Sequence, residues 1–312
     1  MSVARLGRAG ALVAAPALGD RVLSWVDRRL AWLLPMPAVL ALLVVLAGPL
    51  AYAIWVSLTS WYLGSPAPAR FVGLANYATL LGDPRVWHAA WVTFYFTGLA
   101  LGLELLLGLA IALYLNREFA GIGLVRTVLL LPLSVTPVAI ALVWAMMFNP
   151  TLGMLNYVLS LVGLPPLLWA SDPLTALPSL VLVDVWQWTP MVVLLLLAGL
   201  QTIPAEILEA AALDGASGFR FVRRIQLPLI RPHLAMAAVF RVILLLKTFD
   251  LIYVITQGGP ADATETLNLY TYQVGMVYFQ MGYGSALAVV LLGLIMVLSL
   301  VLLQARRRAW SY

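Results

Sequence analysis

A carboxylate and a glycine six residues apart mark a polar segment between two long apolar runs of the chain. Glu209 lies in a short amphipathic stretch, 207–212, whose apolar residues recur at helical spacing. Gly215 follows, and a glycine ends a helix well because it is free to take a positive φ. A carboxylate on a short helix outside the bilayer suits pairing with a basic residue of a soluble protein. The segment therefore predicts docking rather than catalysis.

A second short helix is expected after the glycine. Ser217 is predicted to cap it, Ile225 lies within it, and Pro228 and Pro232 are predicted to end it. We call residues 202–232 the docking segment. The residues that define its pattern are Glu209, Ala210, Ala211, Asp214, Gly215, Ile225, Leu227 and Pro228.

Five charged residues lie inside apolar runs, where each costs a few kcal/mol unless it faces protein, an opposite charge or water. Arg241 and Glu104 lie about 12 Å and about 16 Å from the inner ends of their predicted helices, so they can pair. Lys247 and Asp250 are i, i+3 neighbours and are predicted to pair along one helix. Asp184 is the fifth.

Two helical stripes in the same runs suit a sugar. Each has the spacing i, i+3, i+4, i+7, which places its members on one face of a helix. Together they offer an aromatic face for C–H surfaces and amide, carboxylate and hydroxyl groups for sugar hydroxyls. The charged residues of the stripes could contact substrate or pair with opposite charges in the protein, and the sequence does not decide between these two roles. The stripes are Asp184, Gln187, Trp188 and Met191, and then Arg241, Leu244, Leu245 and Thr248.

The docking segment closely resembles the EAA loop of ABC importer permeases, the element that rests in a groove of the cytoplasmic ATPase. Other stretches, in their order and spacing, resemble the maltose-type carbohydrate-uptake permeases, and specifically their first subunit. The resemblance covers nearly everything from about residue 31 onward. These stretches are 71–77 (FVGLANY), 149–153 (NPTLG), 249–254 (FDLIYV), 258–260 (GGP) and 282–287 (GYGSAL).

This resemblance implies a type I ABC importer transmembrane domain that pairs with a second, similar permease on two ATPase subunits. An extracellular sugar-binding protein would feed it, and ATP and Mg would bind the ATPases rather than this chain. Sugar contacts would come from the two stripes that flank the docking segment. Disaccharides, oligosaccharides, polyols and glycerol-phosphate compounds all stay open as substrates. The maltose protein's extra N-terminal spans and large external insertion are missing here, so nothing specific to them is carried over.

The elements that must position these residues are membrane helices. Of 312 residues, 63% are hydrophobic and 10% charged, and the mean hydropathy is +0.99, which excludes a soluble globular domain. The predicted fold is all-α and polytopic. Six runs are long enough to cross a hydrocarbon core of about 30 Å. They are 31–57, 88–115, 125–148, 179–201, 233–256 and 284–304.

The arginines predict the orientation in a bacterial or archaeal inner membrane. Fourteen arginines fall on the side that carries the docking segment and both termini, and two, Arg70 and Arg85, on the other. Cytoplasmic loops carry the excess of Lys and Arg, so both termini are predicted to be cytoplasmic. We expect an N-terminal segment, 1–30, with an interfacial helix over 20–32. A permease domain, 31–304, and a tail, 305–312, follow.

Other functions find little support in the residues. The one lysine, Lys247, follows no glycine-rich phosphate loop, and the chain has no cysteine. His88 and His233 are predicted on opposite sides of the bilayer, so no metal site is expected. The net charge of +5 is explained by topology and needs no nucleic-acid partner. An ion-driven secondary transporter remains the alternative, with Glu104, Asp184 and Asp250 as proton relays.

Overall fold

The computed structural model describes residues 29, 30, 32 and 34–309. Within these residues the chain is helical, apart from connecting segments and one isolated bridge between Thr59 and Phe71, so the predicted all-α class is confirmed. The predicted interfacial helix over 20–32 falls almost wholly outside the described residues. The chain divides into two compact units at Tyr52, and the packing discussed below lies within the second, Ala53–Tyr312.

The α-helices are numbered in chain order. Two of them continue into other helical turns: α4 into a 3₁₀ turn, Leu131–Ser134, and α12 into a π turn, Gln273–Val277. The helices are α1 (Met36–Ser57), α2 (Ala75–Gly82), α3 (Pro84–Leu115), α4 (Ile122–Leu130), α5 (Pro137–Met147), α6 (Met154–Leu161), α7 (Pro173–Gln201), α8 (Ala205–Leu213), α9 (Gly218–Leu229), α10 (Arg231–Leu246), α11 (Asp250–Ile255), α12 (Leu267–Tyr272) and α13 (Met281–Ala309).

Four of these helices, α1, α3, α7 and α13, are long and apolar enough to cross a membrane. The sequence sets where two of them begin. Asp83 precedes Pro84 and accepts a hydrogen bond from the backbone N–H of Arg85, which caps α3. Asp172 precedes Pro173 and accepts from the N–H groups of Leu174 and Thr175, which caps α7. Proline in a first turn loses no hydrogen bond, and the carboxylate satisfies the unpaired N–H groups there.

The predicted third span, 125–148, is a bent pair of helices rather than a single helix, and a second bent pair joins the docking segment to the predicted fifth span, 233–256. The predicted fifth span is itself broken between α10 and α11. The 3₁₀ turn after α4 contains Pro132, and α5 then leaves at 95° from Pro137. Helices α9 and α10 meet at 72° beside Pro232. Proline removes a backbone donor and clashes with the preceding turn, so a straight helix cannot run through these points. The described residues therefore contain four spans, or six if each bent pair crosses once.

Helices α3 and α7 pack against each other at the centre of the second unit. A Cβ on Gly108 of α3 would lie 2.6 Å from Cγ1 of Val192 on α7, closer than real side chains approach. A Cβ on Gly199 of α7 would lie 2.5 Å from the ring of His233 on α10. Glycine at these two positions lets the backbones come together. Phe96 of α3 and Leu180 of α7 fill the same core and are fully buried.

Candidate functional site

Three charged side chains from three helices meet in the core and form what we call the charge network: Glu104 of α3, Asp184 of α7 and Arg241 of α10. The Nε of Arg241 donates to Oε2 of Glu104 at 2.6 Å, and its Nη2 donates to Oε1 of Glu104 at 2.5 Å. The same Nη2 donates to Oδ2 of Asp184 at 2.6 Å. The side chains of Arg241, Glu104 and Asp184 are 1%, 0% and 3% exposed. The structure thus brings the predicted pair together and adds a third member.

Hydrogen bonds within the charge network offset the hydration that its buried charges lose. Each buried ion loses several kcal/mol of hydration, and only close, well-hydrogen-bonded partners offset that loss. Glu104 binds the guanidinium through two parallel bonds, the strongest arrangement available to this pair. Asp184 uses a nitrogen that is already bonded, so two carboxylates share one cation. Removing Arg241 would leave both without their partner.

Trp188 lies beside the charge network and borders open space. The Cζ atom of Arg241 lies 5.0 Å from the centroid of its ring, within cation–π distance. Trp188 is half-buried, and its neighbour Gln187 is buried. The guanidinium therefore holds one face of the indole in place.

A cavity of about 160 Å³ lies next to these side chains. Most of both predicted stripes line it. Two members do not: Met191 is half-buried elsewhere on α7, and Leu245 packs into the apolar core. The lining residues are Pro137, Asp184, Gln187, Trp188, Arg241, Leu244, Lys247, Thr248, Phe249, Asp250 and Leu251.

The expected pairing of Lys247 with Asp250 along one helix is wrong in its geometry. Helix α10 ends at Leu246, Lys247 is its C-cap, and α11 begins at Asp250. Asn268 donates from Nδ2 to the carbonyl oxygen of Lys247 at 2.9 Å, which satisfies the broken helix end. No ion pair joins Lys247 and Asp250 in the described part of the chain. Both side chains are exposed at the cavity.

The first half of the docking segment is helix α8. Glu209 and Ala210 are exposed, whereas Ala211 is buried and Leu208 packs against the apolar core, which fixes the face that the helix presents outward. Gly215 follows at φ +71°, and the N–H of Ala216 donates to the carbonyl oxygen of Ala211 at 2.9 Å. A left-handed residue at this position closes a helix.

The second half is α9, which differs from the expectation at both ends. Ser217 is extended but makes no side-chain capping bond. A π turn, Val222–Gln226, interrupts α9, and Pro228 lies inside the helix instead of ending it. The N–H of Leu227 reaches back five residues to Val222, so the hydrogen-bond pattern is already shifted before the proline. Ile225, Leu227 and Pro228 are half-buried.

Large apolar side chains of the docking segment point outward. Leu213 at the end of α8 is 89% exposed and Phe219 in α9 is 78% exposed. Asp214 and Gly215 between them are exposed as well, as are three arginines of α9: Arg220, Arg223 and Arg224. An apolar surface rimmed by charges is typical of a surface that binds another protein.

A second polar cluster, which the sequence analysis missed, joins the start of α3 to the residues before α12. Arg85 binds Glu265 through two bonds of 2.7 and 2.8 Å, and Glu265 is fully buried. The hydroxyls of Tyr270 and Tyr283 donate to Oδ2 of Asp83 at 2.8 and 2.7 Å. Separations of about 180 residues give no local pattern that would predict such contacts. The cluster fixes α12 and α13 to the capped end of α3.

These hydrogen bonds affect the titration of Asp83. Burial alone would raise its pKa, but the hydroxyls of Tyr283 and Tyr270 and the backbone N–H groups of Arg85 and Val86 hold it below the usual value. The carboxylate that caps α3 therefore stays ionised at lower pH than an ordinary aspartate.

No group of three or more His, Asp and Glu side chains suited to a metal ion occurs among the described residues. The Nε2 of His88 lies 3.1 Å from the backbone oxygen of Asp262. His233 packs against Gly199, where its ring is too close for any larger residue. His88 is exposed, whereas the Nδ1 of His233 is buried without a hydrogen-bond partner among the described residues.

Comparison with known proteins adds independent findings. Residues 104–309 match the family described as binding-protein-dependent transport system inner membrane component. The chain is 38% identical over 278 residues to the trehalose/maltose transport system permease protein MalF of Thermococcus litoralis, covering 89% of this chain and 92% of that protein. It is 37% identical over 282 residues to the trehalose transport system permease protein SugA of Mycobacterium tuberculosis, covering 89% of each.

A similar fold occurs in a solved structure. A chain of the bacterial alginate ABC transporter, crystallised in complex with an alginate pentasaccharide-bound periplasmic protein, matches with a TM-score of 0.80. The match covers 94% of this chain and 99% of that chain at 21% identity, so the likeness concerns the fold alone.

Proposed function

The chain belongs to the family of binding-protein-dependent transport system inner membrane components, and we propose that it forms half of the pathway of an ATP-driven carbohydrate importer. As a family member it is a multi-pass inner membrane protein and a permease subunit. The observation that carries the proposal is the exposed helix–turn–helix formed by α8 and α9. It connects α7 and α10, and residues of α7 and α10 also line one cavity.

The proposed substrate class is a disaccharide, an oligosaccharide or a polyol. Relatives described as transporters of trehalose and maltose support this class. The cavity supports it too, because Trp188 offers an aromatic surface while Gln187 and Thr248 offer groups that bond hydroxyls. A glycerol-phosphate compound is the runner-up within the same kind of importer.

The proposed partners are a second, similar permease, two cytoplasmic ATPase subunits and an extracellular binding protein that delivers the sugar. ATP and Mg would bind the ATPases, and this chain would carry no cofactor. Both termini and the docking segment would face the cytoplasm, in line with the arginine distribution.

The docking segment would couple ATP to transport. Glu209 is exposed on α8 and would meet a basic residue in the ATPase groove, with Leu213 and Phe219 supplying apolar contact. When the ATPase subunits close around ATP, they would pull on α8 and α9. The flanking helices α7 and α10 would then move with them. The cavity would then open outward and receive sugar from the binding protein, and hydrolysis would reset it.

The test is uptake of labelled trehalose or maltose by the complete complex in proteoliposomes. Uptake should require ATP inside and the binding protein outside, and should survive an uncoupler. Glu209→Lys should abolish uptake and the stimulation of ATPase activity by loaded binding protein, while Glu118→Lys, at another exposed carboxylate, should change neither. Uptake that needs an ion gradient and ignores ATP would favour the secondary transporter instead. Full stimulation in Glu209→Lys would overturn the docking role alone.

A further inference from the structure

Three exposed arginines of α9 lie side by side on one face of the helix. Arg220, Arg223 and Arg224 have the spacing i, i+3, i+4, which makes them neighbours on a helical surface. None of them makes an ion pair or a side-chain hydrogen bond within the part of the chain that the structure describes. Together with Phe219 they line a groove of about 480 Å³. Guanidinium groups with free donors suit a phosphate or another anion, which they bind through parallel hydrogen bonds.

A second groove, of about 600 Å³, adjoins the first at Phe219 and lies between α9 and the end of α3. Its lining is mainly apolar, with Leu113 and Tyr114 on α3 and Phe221 on α9. One more exposed arginine, Arg117, lines it as well. The two grooves together therefore offer a cationic part and an apolar part side by side.

The depth of these grooves follows from α3. This helix, Pro84–Leu115, is long and apolar enough to cross a membrane, and the second groove lies against its last turns. The end of a spanning helix lies where the hydrocarbon core meets the lipid headgroups. A basic pocket beside a membrane helix at that depth is the kind of site that binds anionic lipid headgroups.

The charges of the docking segment are divided between its two helices. Helix α8 carries Glu206 and Glu209, Asp214 follows it, and residues 202–219 contain no lysine or arginine. Helix α9 carries the three arginines and no carboxylate. An ATPase groove that is basic enough to bind α8 would repel the arginines of α9, because like charges at short distance repel. The arginines therefore need a different, anionic partner, and a bilayer surface at the same depth supplies one.

We propose that the two grooves bind an anionic phospholipid of the inner leaflet. Its phosphate contacts Arg220, Arg223 and Arg224, and its glycerol and the start of one acyl chain lie between α9 and the end of α3. Phe219 marks the border between this lipid and the surface offered to the ATPase. The inference rests on the proposed function in one respect, because the leaflet is the inner one only if the docking segment faces the cytoplasm. The bound lipid holds α9 against α3 while leaving α8 free to meet the ATPase.

The test measures which lipid lies next to the second groove. The chain contains no cysteine, so Tyr114→Cys places one thiol of this chain in the lining, where it carries a bimane fluorophore. The complete complex, with any cysteine of its partner subunits replaced by serine, is placed in nanodiscs of equal parts phosphatidylglycerol and phosphatidylcholine. In one preparation only the anionic lipid has brominated acyl chains, and in the other only the zwitterionic lipid has them. Bromine quenches the fluorophore on contact, so the two preparations give the relative association constant of the anionic lipid.

That constant should exceed one by roughly tenfold at low salt, because each arginine near the surface favours an anionic lipid. It should fall as salt is added, since the grooves are open to solvent. Combining Arg220→Gln, Arg223→Gln and Arg224→Gln should bring it close to one. If that triple variant does not assemble, Arg220→Gln alone, which lies before the π turn, should lower the constant several-fold. A constant of one in the unchanged chain would overturn the proposal, as would a constant that these substitutions leave unaltered.

A charge-matched control separates a binding site from general attraction to the membrane. Arg306→Gln, Arg307→Gln and Arg308→Gln remove the same number of charges from the end of the chain, which is predicted to face the same side. This control should leave the constant unchanged. An equal fall in the control and in the α9 triple variant would mean that surface charge alone attracts the lipid, and the site would be refuted.

Two further measurements exclude other anionic partners. In lipid-free detergent, the α9 triple variant should retain its ATPase subunits, and their loss would show that the arginines bind an acidic surface of the ATPase instead. Soluble glycerophosphoglycerol should not displace the brominated lipid, and displacement would assign the site to free phosphate compounds. Both leaflets of a nanodisc have the same composition, so none of these results depends on the orientation of the chain. A failed lipid test therefore leaves the proposed transport function untouched.

Discussion

Glu104 of α3 and Asp184 of α7 bind the same nitrogen of one arginine, Arg241 of α10, at 2.5 and 2.6 Å. The two carboxylates belong to helices that pack along each other, and like charges so close together repel in a dry interior. Only the guanidinium makes the arrangement stable. The charge network therefore ties α10, which follows the docking segment, to the two central helices.

Arg241→Gln should destabilise the protein strongly. It leaves two buried carboxylates without a cation, and breaking a buried pair from one side costs about 3–5 kcal/mol. The measurement is thermal unfolding of the complex in detergent, together with the yield of assembled complex. Arg117→Gln, at an exposed arginine, should leave both unchanged.

Neutral replacements of the carboxylates should rescue that variant in steps. Glu104→Gln added to Arg241→Gln should recover part of the stability, and Asp184→Asn added to both should recover most of the rest, because the last buried charge is then gone. If adding only Glu104→Gln to Arg241→Gln restored full stability, the contact of Asp184 with Arg241 would make no contribution to stability.

The sequence predicted the Glu104–Arg241 pair but not the third member, and the reason is geometric. Counting along straight helices puts Asp184 roughly 25 Å from the end of α7 next to the docking segment, and Arg241 roughly 15 Å from the start of α10. That mismatch hides the contact. In the structure α10 starts at a 72° bend, so a count along a straight helix does not describe its path. Proline in a sequence predicts where a helix bends but not in which direction it bends.

The docking segment was more predictable, because its signals are local. Gly215 ends α8 with a positive φ, as its residue type favours. The prediction that Pro228 ends α9 was wrong. A π turn shifts the backbone hydrogen bonds before the proline, and no sequence pattern predicts that turn. The cluster of Arg85 with Glu265 lay beyond sequence reasoning altogether, because it joins residues that are distant along the chain.

Gly108→Ala should destabilise the packing of α3 on α7. The new Cβ would lie 2.6 Å from Cγ1 of Val192, and forcing extra volume into a packed core costs about 1–3 kcal/mol. Gly102→Ala on the same helix is the control, because no atom lies within 4 Å of its Cβ and alanine favours helix by up to about 1 kcal/mol. Thermal unfolding should therefore move in opposite directions for the two variants. Val192→Ala should rescue Gly108→Ala, and equal melting temperatures for the two glycine variants would contradict the close approach.

The cluster around Asp83 should make stability depend on acid pH. Because the pKa of this carboxyl is lowered in the folded chain, it contributes stability above its unfolded pKa of about 3.9, and that contribution is lost as pH falls through the lower folded value. Tyr270→Phe with Tyr283→Phe removes the two hydroxyl donors. The double variant should lose on the order of 1 kcal/mol per hydroxyl at pH 6. The difference from the unchanged chain should shrink towards pH 3.

Tyr157→Phe is the control for that series, because Tyr157 is well exposed. Melting temperatures measured from pH 3 to 6 should coincide for the control and the unchanged chain. A deficit in the double variant that stayed constant down to pH 3 would mean that the tyrosines act through packing and not through the ionised Asp83.

Trp188→Ala should lower uptake of the native carbohydrate while leaving the assembled complex intact. The indole lies at the cavity with Arg241 over one face, so its loss removes an aromatic surface for the ligand, worth on the order of 1 kcal/mol or more. Basal ATPase activity should stay the same, because α8 and α9 are unchanged. Stability should fall only slightly, since Trp188 is half-buried and Arg241 keeps both carboxylate partners.

Trp186→Ala is the matched control for this last prediction. It removes the same side chain two residues earlier on α7, where the ring packs against Trp144 at 5.6 Å and lies outside the cavity lining. Uptake assays on both variants separate ligand contact from a general need for tryptophan in α7. If Trp188→Ala reduces uptake several-fold and Trp186→Ala does not, the stripe of Asp184, Gln187 and Trp188 faces the pathway. Normal uptake in Trp188→Ala would take that stripe out of the pathway and leave its charges with a purely structural role.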